Sequence, residues 1–147
     1  MPRVYVSTVL DAPIDRVWQK IRDFNGLTGW VPAIAASEID GGEASDRIGI
    51  VRTLTLGDGG KIKERLLALD DFTHSVSYSF VESPLPVTGY VSHIRLKPLT
   101  MKSGTFVEWS GEYEVTQGDP EDMRKLFADG VYGAGLARLA EILATRA

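Results

Sequence analysis

Apolar and polar residues alternate along much of the chain, which is the pattern of half-buried β-strands. The alternation predicts a first strand over 3–10 and six more over about 34–40, 47–57, 61–70, 74–83, 88–99 and 104–116. Turn-forming residues separate several of these strands, at 41–42, 57–60, 70–71 and 102–104. Connections this short join neighbouring antiparallel strands, so the six later strands are predicted to form a meander.

Helical spacing of apolar residues occurs in two other places. Ile14, Val17, Trp18, Ile21 and Phe24 predict a helix that begins after a cap at Asp11 and ends near Asn25. A short second helix is predicted over 27–31. The segment from Asp119 onwards predicts one capped helix of about 27 residues, roughly 40 Å long, that continues to the end of the chain.

The order of these elements predicts the fold class. Strands that are gathered together, with helices segregated from them, are typical of α+β proteins. We therefore expect a single domain over 1–147, in which a curved antiparallel sheet of about seven strands wraps around the long C-terminal helix. One or two short helices follow the first strand.

Composition excludes several classes of function. The net charge is −4 and no cluster of lysine and arginine stands out, which argues against nucleic-acid binding. The absence of cysteine excludes disulfides, zinc–cysteine sites and thiol catalysis. His74 and His93 have no second ligand at metal spacing, so neither a metal nor a cofactor is predicted. No signal peptide or apolar run of about 20 residues is evident, which predicts a cytoplasmic protein without stable membrane insertion.

The hairpin over 50–69 places two charges on its apolar face. If its turn is centred near Asp58, residues whose numbers sum to about 116 lie opposite each other, and Arg52 then faces Glu64. Pairing would spare the buried carboxylate a large desolvation cost. Three interpretations stay open: a structural ion pair, an anchor that holds a ligand directly or through water, and a catalytic group.

The inner faces of the later strands are rich in aromatic residues and hydroxyls, such as Tyr90, Ser92 and Trp109. This composition is typical of a small-molecule pocket, although a fully packed core would give the same pattern. Gly130, Gly133 and Gly135 lie within the predicted last helix. They would either make room for a ligand or let the helix approach the sheet closely.

The stretches IGIVRTLTLGDGG, KERLLALDD, SPLPVTGYVSHIRL and EDMRKLFADGVYGAGLARLAEI resemble the START-like (SRPBCC) helix-grip superfamily. This superfamily includes polyketide cyclase/dehydratases and the major birch pollen allergen, and the abscisic-acid-receptor-like branch with its bacterial relatives is the most similar part. The resemblance implies a deep apolar cavity between sheet and last helix. The lining residues that it implies are Arg52, Leu54, Leu56, Ile62, Glu64, Tyr78, Phe80, Tyr90, Ser92, Trp109, Phe127 and Val131.

The resemblance also implies two loops at the cavity entrance. The gate loop would comprise Gly57, Asp58, Gly59 and Gly60, and the second entrance loop Ser83, Pro84, Leu85 and Pro86. The receptors hold the carboxylate of their hormone with a lysine, but this chain has Ala35 at about that position. Gly-Asp-Gly-Gly also replaces the proline-containing gate motif.

We expect a non-catalytic protein that binds a small hydrophobic or aromatic molecule, as a sensor, carrier or store. Glu64, Arg52, Tyr78, Tyr90 and Ser92 would supply the polar contacts. An alternative is a cyclase/dehydratase-like lyase with Glu64 as acid or base, and a tyrosine that stabilises an enolate. A third is a protein-interaction module in which the ligand closes the two entrance loops. A homodimer is compatible with each of these.

Overall fold

The computed structural model describes residues 3–144, so the last residues of the predicted C-terminal helix, 145–147, lie outside the described part. Seven strands form one antiparallel sheet: β1 (Arg3–Leu10), β2 (Ile34–Ile39), β3 (Val51–Leu56), β4 (Lys61–Asp70), β5 (Ser75–Glu82), β6 (Val87–Pro98) and β7 (Thr105–Val115). Their order across the sheet is β1-β7-β6-β5-β4-β3-β2. The predicted meander is therefore confirmed, and β1 pairs with β7 at one edge.

The helices lie at the two predicted places. Helix α1 spans Ile14–Ile21, and short 3-10 turns follow at Leu27–Gly29 and Asp40–Gly42. The C-terminal helix, 120–144, is continuous but not uniform, because α2 (Pro120–Lys125) and α3 (Ala134–Ala144) flank a π-helical segment, Leu126–Gly133. The curved sheet and this long helix confirm the predicted helix-grip fold. Among residues 3–144, no helix has both the length and the apolar character needed to cross a membrane.

The core lies between the inner face of the sheet and the C-terminal helix. Leu66, Val107 and Trp109 from the sheet are almost fully buried, as are Tyr132 and Leu139 from the helix. The rings of Trp109 and Tyr132 stack with centroids 4.2 Å apart. This stack fixes the helix against β7, and the space beside it is where the site lies.

Helix α1 is shorter than its apolar spacing predicted. It ends at Ile21, and the chain turns through a backbone hydrogen bond from Gly26 N to Asp23 O. Phe24 is therefore buried outside the helix, and its carbonyl is available to a partner elsewhere. The predicted cap was wrong as well, because Pro13 occupies the N-cap position and no side chain caps the helix. At the other predicted cap, Asp119 accepts a hydrogen bond from Glu121 N, as expected.

Two irregularities displace residues from the faces that alternation predicted. The third strand begins at Val51, not at 47, because the chain turns just before it and Gly49 has a φ of +94°, which glycine adopts readily. In β4 the register shifts between Leu66 and Ala68, so Ala68 is exposed, although strict alternation from Glu64 would place it on the inner face. A bulge changes the parity of every later residue in its strand.

Candidate functional site

A cavity of about 370 Å³ lies between strands β3 to β7, the segment that leads into β2, and the π-helical segment. Its lining is almost entirely apolar, and the charged residues in it are Glu64 and Asp58. Its wall is formed by Leu27, Pro32, Ala33, Ile34, Leu54, Leu56, Gly57, Asp58, Ile62, Glu64, Tyr78, Phe80, Leu85, Tyr90, Trp109, Leu126, Phe127, Gly130 and Val131. A cavity of this size and character falls in the range of small-molecule sites.

Ten of the twelve lining residues expected from the sequence are in this wall. They are Leu54, Leu56, Ile62, Glu64, Tyr78, Phe80, Tyr90, Trp109, Phe127 and Val131. The other two, Arg52 and Ser92, are buried behind it: Arg52 behind Glu64, and Ser92 behind Tyr78 and Trp109. The alternation in β3 and β6 correctly placed Arg52 and Ser92 on the inner face of the sheet. It did not show that other side chains lie between them and the cavity.

The two entrance loops contribute to the cavity unequally. Gly57 and Asp58 line it from the first loop, and Leu85 lines it from the second. The other predicted loop residues, Gly59, Gly60, Ser83, Pro84 and Pro86, lie outside the wall. The first loop is a tight turn in which Leu56 N donates to Gly60 O at 2.8 Å and Asp58 Oδ1 accepts from Gly60 N at 2.8 Å.

Sequence reasoning missed two parts of the wall. The segment that leads into β2 contributes Leu27, Pro32 and Ala33, β2 contributes its first residue, Ile34, and the π-helical segment contributes Leu126. Gly130 also lines the cavity, which agrees with one of the two roles that the sequence left open for it. The apolar residues on both sides of Pro32 were the available signal for the first part. Ala35, at the position where the resemblance expects a lysine, is exposed, and a register shift lies between Ile34 and Ala36.

Arg52 and Glu64 form a buried ion pair, and the strand register places them directly opposite each other. Their residues are only 2% and 5% exposed. Arg52 donates twice to a single oxygen of Glu64, from Nε to Oε1 at 2.9 Å and from Nη2 to Oε1 at 2.6 Å. Arg52 Nη1 donates to the carbonyl of Phe24 at 2.6 Å, which the early end of α1 leaves available.

Two aromatic rings cover the guanidinium group of Arg52. Its central carbon lies 3.8 Å from the ring centroid of Phe24 and 4.9 Å from that of Tyr78. Cation–π contacts of this kind are strongest where water is excluded. Each guanidinium nitrogen has a partner and two rings pack against the group, so Arg52 is held in place and does not line the cavity.

The carboxylate of Glu64 has one oxygen that is not used. Oε1 receives both bonds from Arg52, whereas Oε2 receives none from the described residues. Within residues 3–144, two buried side-chain polar atoms are shielded from solvent and have no hydrogen-bond partner. They are Trp30 Nε1 and Tyr113 Oη. Since Oε2 is not among them and Glu64 lines the cavity, Oε2 faces the cavity space. Burial raises the pKa of Glu64 above its ordinary value, and Arg52 opposes this rise.

A chain of hydrogen bonds fixes the hydroxyl groups beside the cavity. Trp109 Nε1 donates to Ser92 Oγ at 2.9 Å and to Tyr78 Oη at 3.1 Å. Ser92 Oγ donates to the carbonyl of Ser110 at 2.9 Å, so it must accept from Tyr132 Oη, which lies 3.2 Å away. Tyr132 therefore accepts, in turn, from the hydroxyl of Tyr90.

Burial keeps these tyrosines protonated. It raises the pKa of Tyr78 to about 12, with a smaller contribution from the charge of Glu64, and it raises the pKa values of Tyr90 and Tyr132 well above the ordinary value. The protons of Tyr90, Tyr132 and Ser92 are all used within the chain of hydrogen bonds. Ser92 thus positions Trp109 and the tyrosines, and is not itself in the cavity wall.

The π-helical segment brings two aromatic residues to the same side of the helix. Phe127 and Tyr132 are five residues apart and both are buried. In an α-helix with 3.6 residues per turn they would lie about 140° apart, but hydrogen bonding from i to i+5 brings residue i+5 onto the same side of the helix as residue i. Gly111 on β7 leaves space for the hydroxyl of Tyr132, because a Cβ there would overlap it.

The three helix glycines have different surroundings. At Gly135 a Cβ would lie 3.3 Å from atoms of Trp30 and Val31, so this glycine allows close packing of the helix. At Gly133 a Cβ would lie 2.6 Å from the carbonyl oxygen of Ala128, within the π-helical segment itself. Gly130 lines the cavity, and its nearest neighbour would be 3.8 Å away.

Comparison with known proteins gives consistent relationships. Residues 1–144 match the family described as polyketide cyclase / dehydrase and lipid transport. A curated relative, the abscisic acid receptor PYL7 of Arabidopsis thaliana, is 26% identical over 136 residues, which are 89% of this chain and 63% of the receptor. The chain therefore spans less than two thirds of that relative's length.

Solved structures share the fold over nearly the whole chain. The protein XoxI from Bacillus cereus is 34% identical with a TM-score of 0.88, and the match covers 99% of this chain and 97% of XoxI. Norcoclaurine synthase from Thalictrum flavum, in complex with dopamine and hydroxybenzaldehyde, is 18% identical with a TM-score of 0.74, over 99% of this chain and 88% of the synthase. At that identity the synthase shows the fold alone.

Proposed function

Because the chain belongs to the polyketide cyclase / dehydrase and lipid transport family, we propose that it binds a small apolar molecule in the cavity between its sheet and its C-terminal helix. The observation that carries the proposal is the cavity itself, about 370 Å³ with an almost wholly apolar wall. The bound molecule would contact the aromatic residues of β5 to β7 on one side and the π-helical segment on the other.

Packing arguments support a binding role for this space. Protein interiors are close-packed, with few voids larger than a water molecule. A cavity of this volume forgoes the dispersion contacts that a filled core would have, which lowers stability. Meanwhile the polar groups around it are held by one another, as in the ion pair of Arg52 with Glu64 and the hydrogen bonds of Ser92. A rigid wall around open apolar space is the arrangement of a preformed ligand site.

The relationship to a receptor for a small molecule, abscisic acid, also supports the proposal. It does not extend to the ligand of that receptor. Ala35 is exposed, and neither lysine nor arginine is among the described residues that line the cavity. The cavity therefore has no group that would neutralise a carboxylate.

The test is a fluorescence titration with N-phenyl-1-naphthylamine, an uncharged apolar probe. Val131 lines the cavity, so Val131→Phe should fill part of it and weaken probe binding by about tenfold or more. Ala137→Phe is the matched control, because Ala137 is exposed on the same helix. It should leave the affinity within about threefold of wild type, as expected for a surface substitution.

Two results would contradict the proposal. The first is a wild-type protein that does not bind the probe and that carries no small molecule when the purified protein is studied by native mass spectrometry. The second is equal affinity of the Val131→Phe variant and wild type, which would place the bound probe elsewhere on the molecule.

Catalysis is a second candidate, favoured by the surroundings of Glu64. A carboxyl group with a raised pKa and one unpaired oxygen in an apolar cavity is suited to general acid–base chemistry. A Glu64→Gln variant that keeps the affinity for a candidate substrate but loses turnover would favour an enzyme. Absence of turnover in wild type with every ligand recovered by mass spectrometry would exclude the reaction of those ligands.

A further inference from the structure

The polar part of the cavity consists of very few groups. Glu64 is 5% exposed, and its Oε2 faces the cavity without a partner among the described residues. A buried acceptor that has lost its water costs free energy unless a donor replaces that water. Oε2 therefore favours a ligand that carries a hydrogen-bond donor at this position.

The cavity offers no positive charge to an anionic ligand. The charged groups among its described lining residues are the carboxylates of Glu64 and Asp58, both of them negative. Arg52 stands behind Glu64, and each of its three nitrogens already donates to Glu64 or to Phe24. A ligand carboxylate placed against Oε2 would bring two like charges together in a site of low dielectric constant, which is strongly unfavourable.

A cationic ligand is not favoured either. The ion pair of Arg52 and Glu64 already balances its own charge, at a distance of 2.6 Å between Nη2 and Oε1. An ammonium group at Oε2 would leave one net positive charge buried beside the guanidinium of Arg52, which carries a large desolvation cost. The neutral pair therefore selects a neutral partner.

From this arrangement we infer that the ligand of the proposed function is an uncharged apolar molecule with a single hydroxyl or N–H donor directed at Glu64 Oε2. Carboxylates and ammonium ions of the same shape are rejected. This inference rests on the proposed function, because it assigns the chemical class of the molecule bound in that same cavity. In its preference for an uncharged ligand, this cavity would differ from a site that binds an organic acid.

The test measures how tightly each of four molecules with one shared skeleton competes with N-phenyl-1-naphthylamine for the protein at neutral pH. 2-Naphthol has the donor, 2-methoxynaphthalene lacks it, 2-naphthoate is an anion and 2-naphthylmethylammonium is a cation. We expect naphthol to bind about tenfold more tightly than methoxynaphthalene, as a hydrogen bond to a charged acceptor provides. Naphthoate should bind about a hundredfold more weakly than naphthol.

The Glu64→Gln variant links this preference to the carboxylate. Its advantage for naphthol over methoxynaphthalene should fall below about threefold. Glu112→Gln is the matched control, because it makes the same charge change at an exposed position on β7, and it should keep the wild-type preference. If Glu64→Gln does not fold, the double variant Arg52→Met/Glu64→Leu removes both charges, and its preference should fall in the same way.

The outcomes separate this inference from the proposed function. If the probe binds but naphthol has no advantage, or if naphthoate or the ammonium ion binds as tightly as naphthol, the inference is wrong and the proposed function stands. A naphthol preference that survives in Glu64→Gln or in the double variant also overturns it. If wild type binds neither the probe nor any molecule of the series, and carries no small molecule in native mass spectrometry, both are overturned.

Discussion

Arg52 and Glu64 occupy positions where a strand pattern calls for apolar residues, and their contacts explain how a core accepts them. The register of β3 with β4 places them opposite each other, and the carbonyl of Phe24 and the ring of Tyr78 complete the surroundings of the arginine. Burying two charges costs about as much as their attraction returns, so such a pair contributes little net stability. Its effect here is to fix the position of one carboxylate oxygen in the cavity.

The cost of breaking this pair should exceed the cost of removing it. Arg52→Met leaves Glu64 buried without its partner, and we expect it to lower the free energy of unfolding by about 3–5 kcal/mol. Arg52→Met/Glu64→Leu leaves no buried charge and should lower it by less than Arg52→Met alone does. Urea unfolding followed by circular dichroism measures both values. A double variant as unstable as Arg52→Met would contradict this expectation.

At the scale of elements, the π-helical segment determines which residues of the C-terminal helix meet the cavity. It directs Phe127 into the wall and Tyr132 into the hydrogen-bond chain behind it. Its geometry depends on Gly133, where a Cβ would press on the carbonyl oxygen of Ala128. A regular α-helix would satisfy the intrinsic preferences of this sequence but would lose one of these two aromatic contacts.

Two glycine substitutions separate helix propensity from this geometry. Alanine is the better helix former at both positions, so Gly130→Ala, where a Cβ meets nothing closer than 3.8 Å, should raise the free energy of unfolding by up to about 1 kcal/mol. Gly133→Ala should lower it by about 1–3 kcal/mol, because the segment must shift to relieve the overlap. Denaturant unfolding of the two variants measures the difference, and a stabilised Gly133→Ala would refute the role given to this glycine.

The sequence predicted the bounds of most strands well. Strict alternation located β4 to β7 closely, and the same period placed Arg52 opposite Glu64. A change of period within an element was not predictable. The shift after Leu66 reverses the parity of β4, and the π-helical segment replaces the α-helical spacing that the apolar residues around Phe127 suggested.

The wall formed by β3 to β7 and by Phe127 and Val131 coincides with residues expected from the sequence, whereas the part around Pro32 was missed. Ala33 and Ile34 reach the cavity because a 3-10 turn and a register shift orient them, and neither feature has a repeating pattern. Ser92 was correctly predicted to lie on the inner face of the sheet, but it does not line the cavity because Tyr78 and Trp109 lie between them. Depth within a wall depends on neighbouring side chains from other strands.

At the scale of the whole molecule, polar side chains connect elements that the sheet alone does not join. Asp71, in the turn after β4, accepts from Trp18 Nε1 at 2.7 Å and from Arg22 Nε at 2.7 Å, which ties this turn to α1 and the residue that ends it. Arg16 donates to the carbonyl of Leu143 at 3.0 Å, which ties α1 to the C-terminal helix. Helix α1 is thus fixed to both layers of the fold.

These contacts make stability depend on pH with a defined sign. The pKa of Asp71 is lowered, first by its hydrogen bond from Arg22, and the pKa values of Asp40, Asp70 and Glu121 are lowered by their own donors. A carboxyl group with a lowered folded-state pKa contributes stability that is present above its unfolded value, 3.8 for these aspartates, and lost as pH falls through the folded value. Stability should therefore fall below about pH 4.

Glu64 contributes with the opposite sign, because its raised pKa means that the folded state gains relative stability as the group takes up a proton. It should therefore reduce the acid slope that the other four carboxyl groups produce. Urea unfolding across this pH range measures the slope, and Asp71→Asn should flatten it. A wild-type stability that is constant or rising in acid, or an unchanged slope in Asp71→Asn, would contradict the assignment.

The pairing of β1 with β7 has a consequence for the order in which the chain folds. Arg3 lies opposite Glu112 and Leu10 opposite Thr105, so the first strand to be synthesised pairs with the last, about 100 residues later. Contacts between such distant residues form slowly, whereas the hairpins from β3 to β7 need only short loops to close. In pulse-labelled hydrogen exchange we expect the amides of β1 to gain protection last. The wall of the cavity is complete only when the helix after β7 docks on the sheet, so the binding that we propose would also report that this helix has docked.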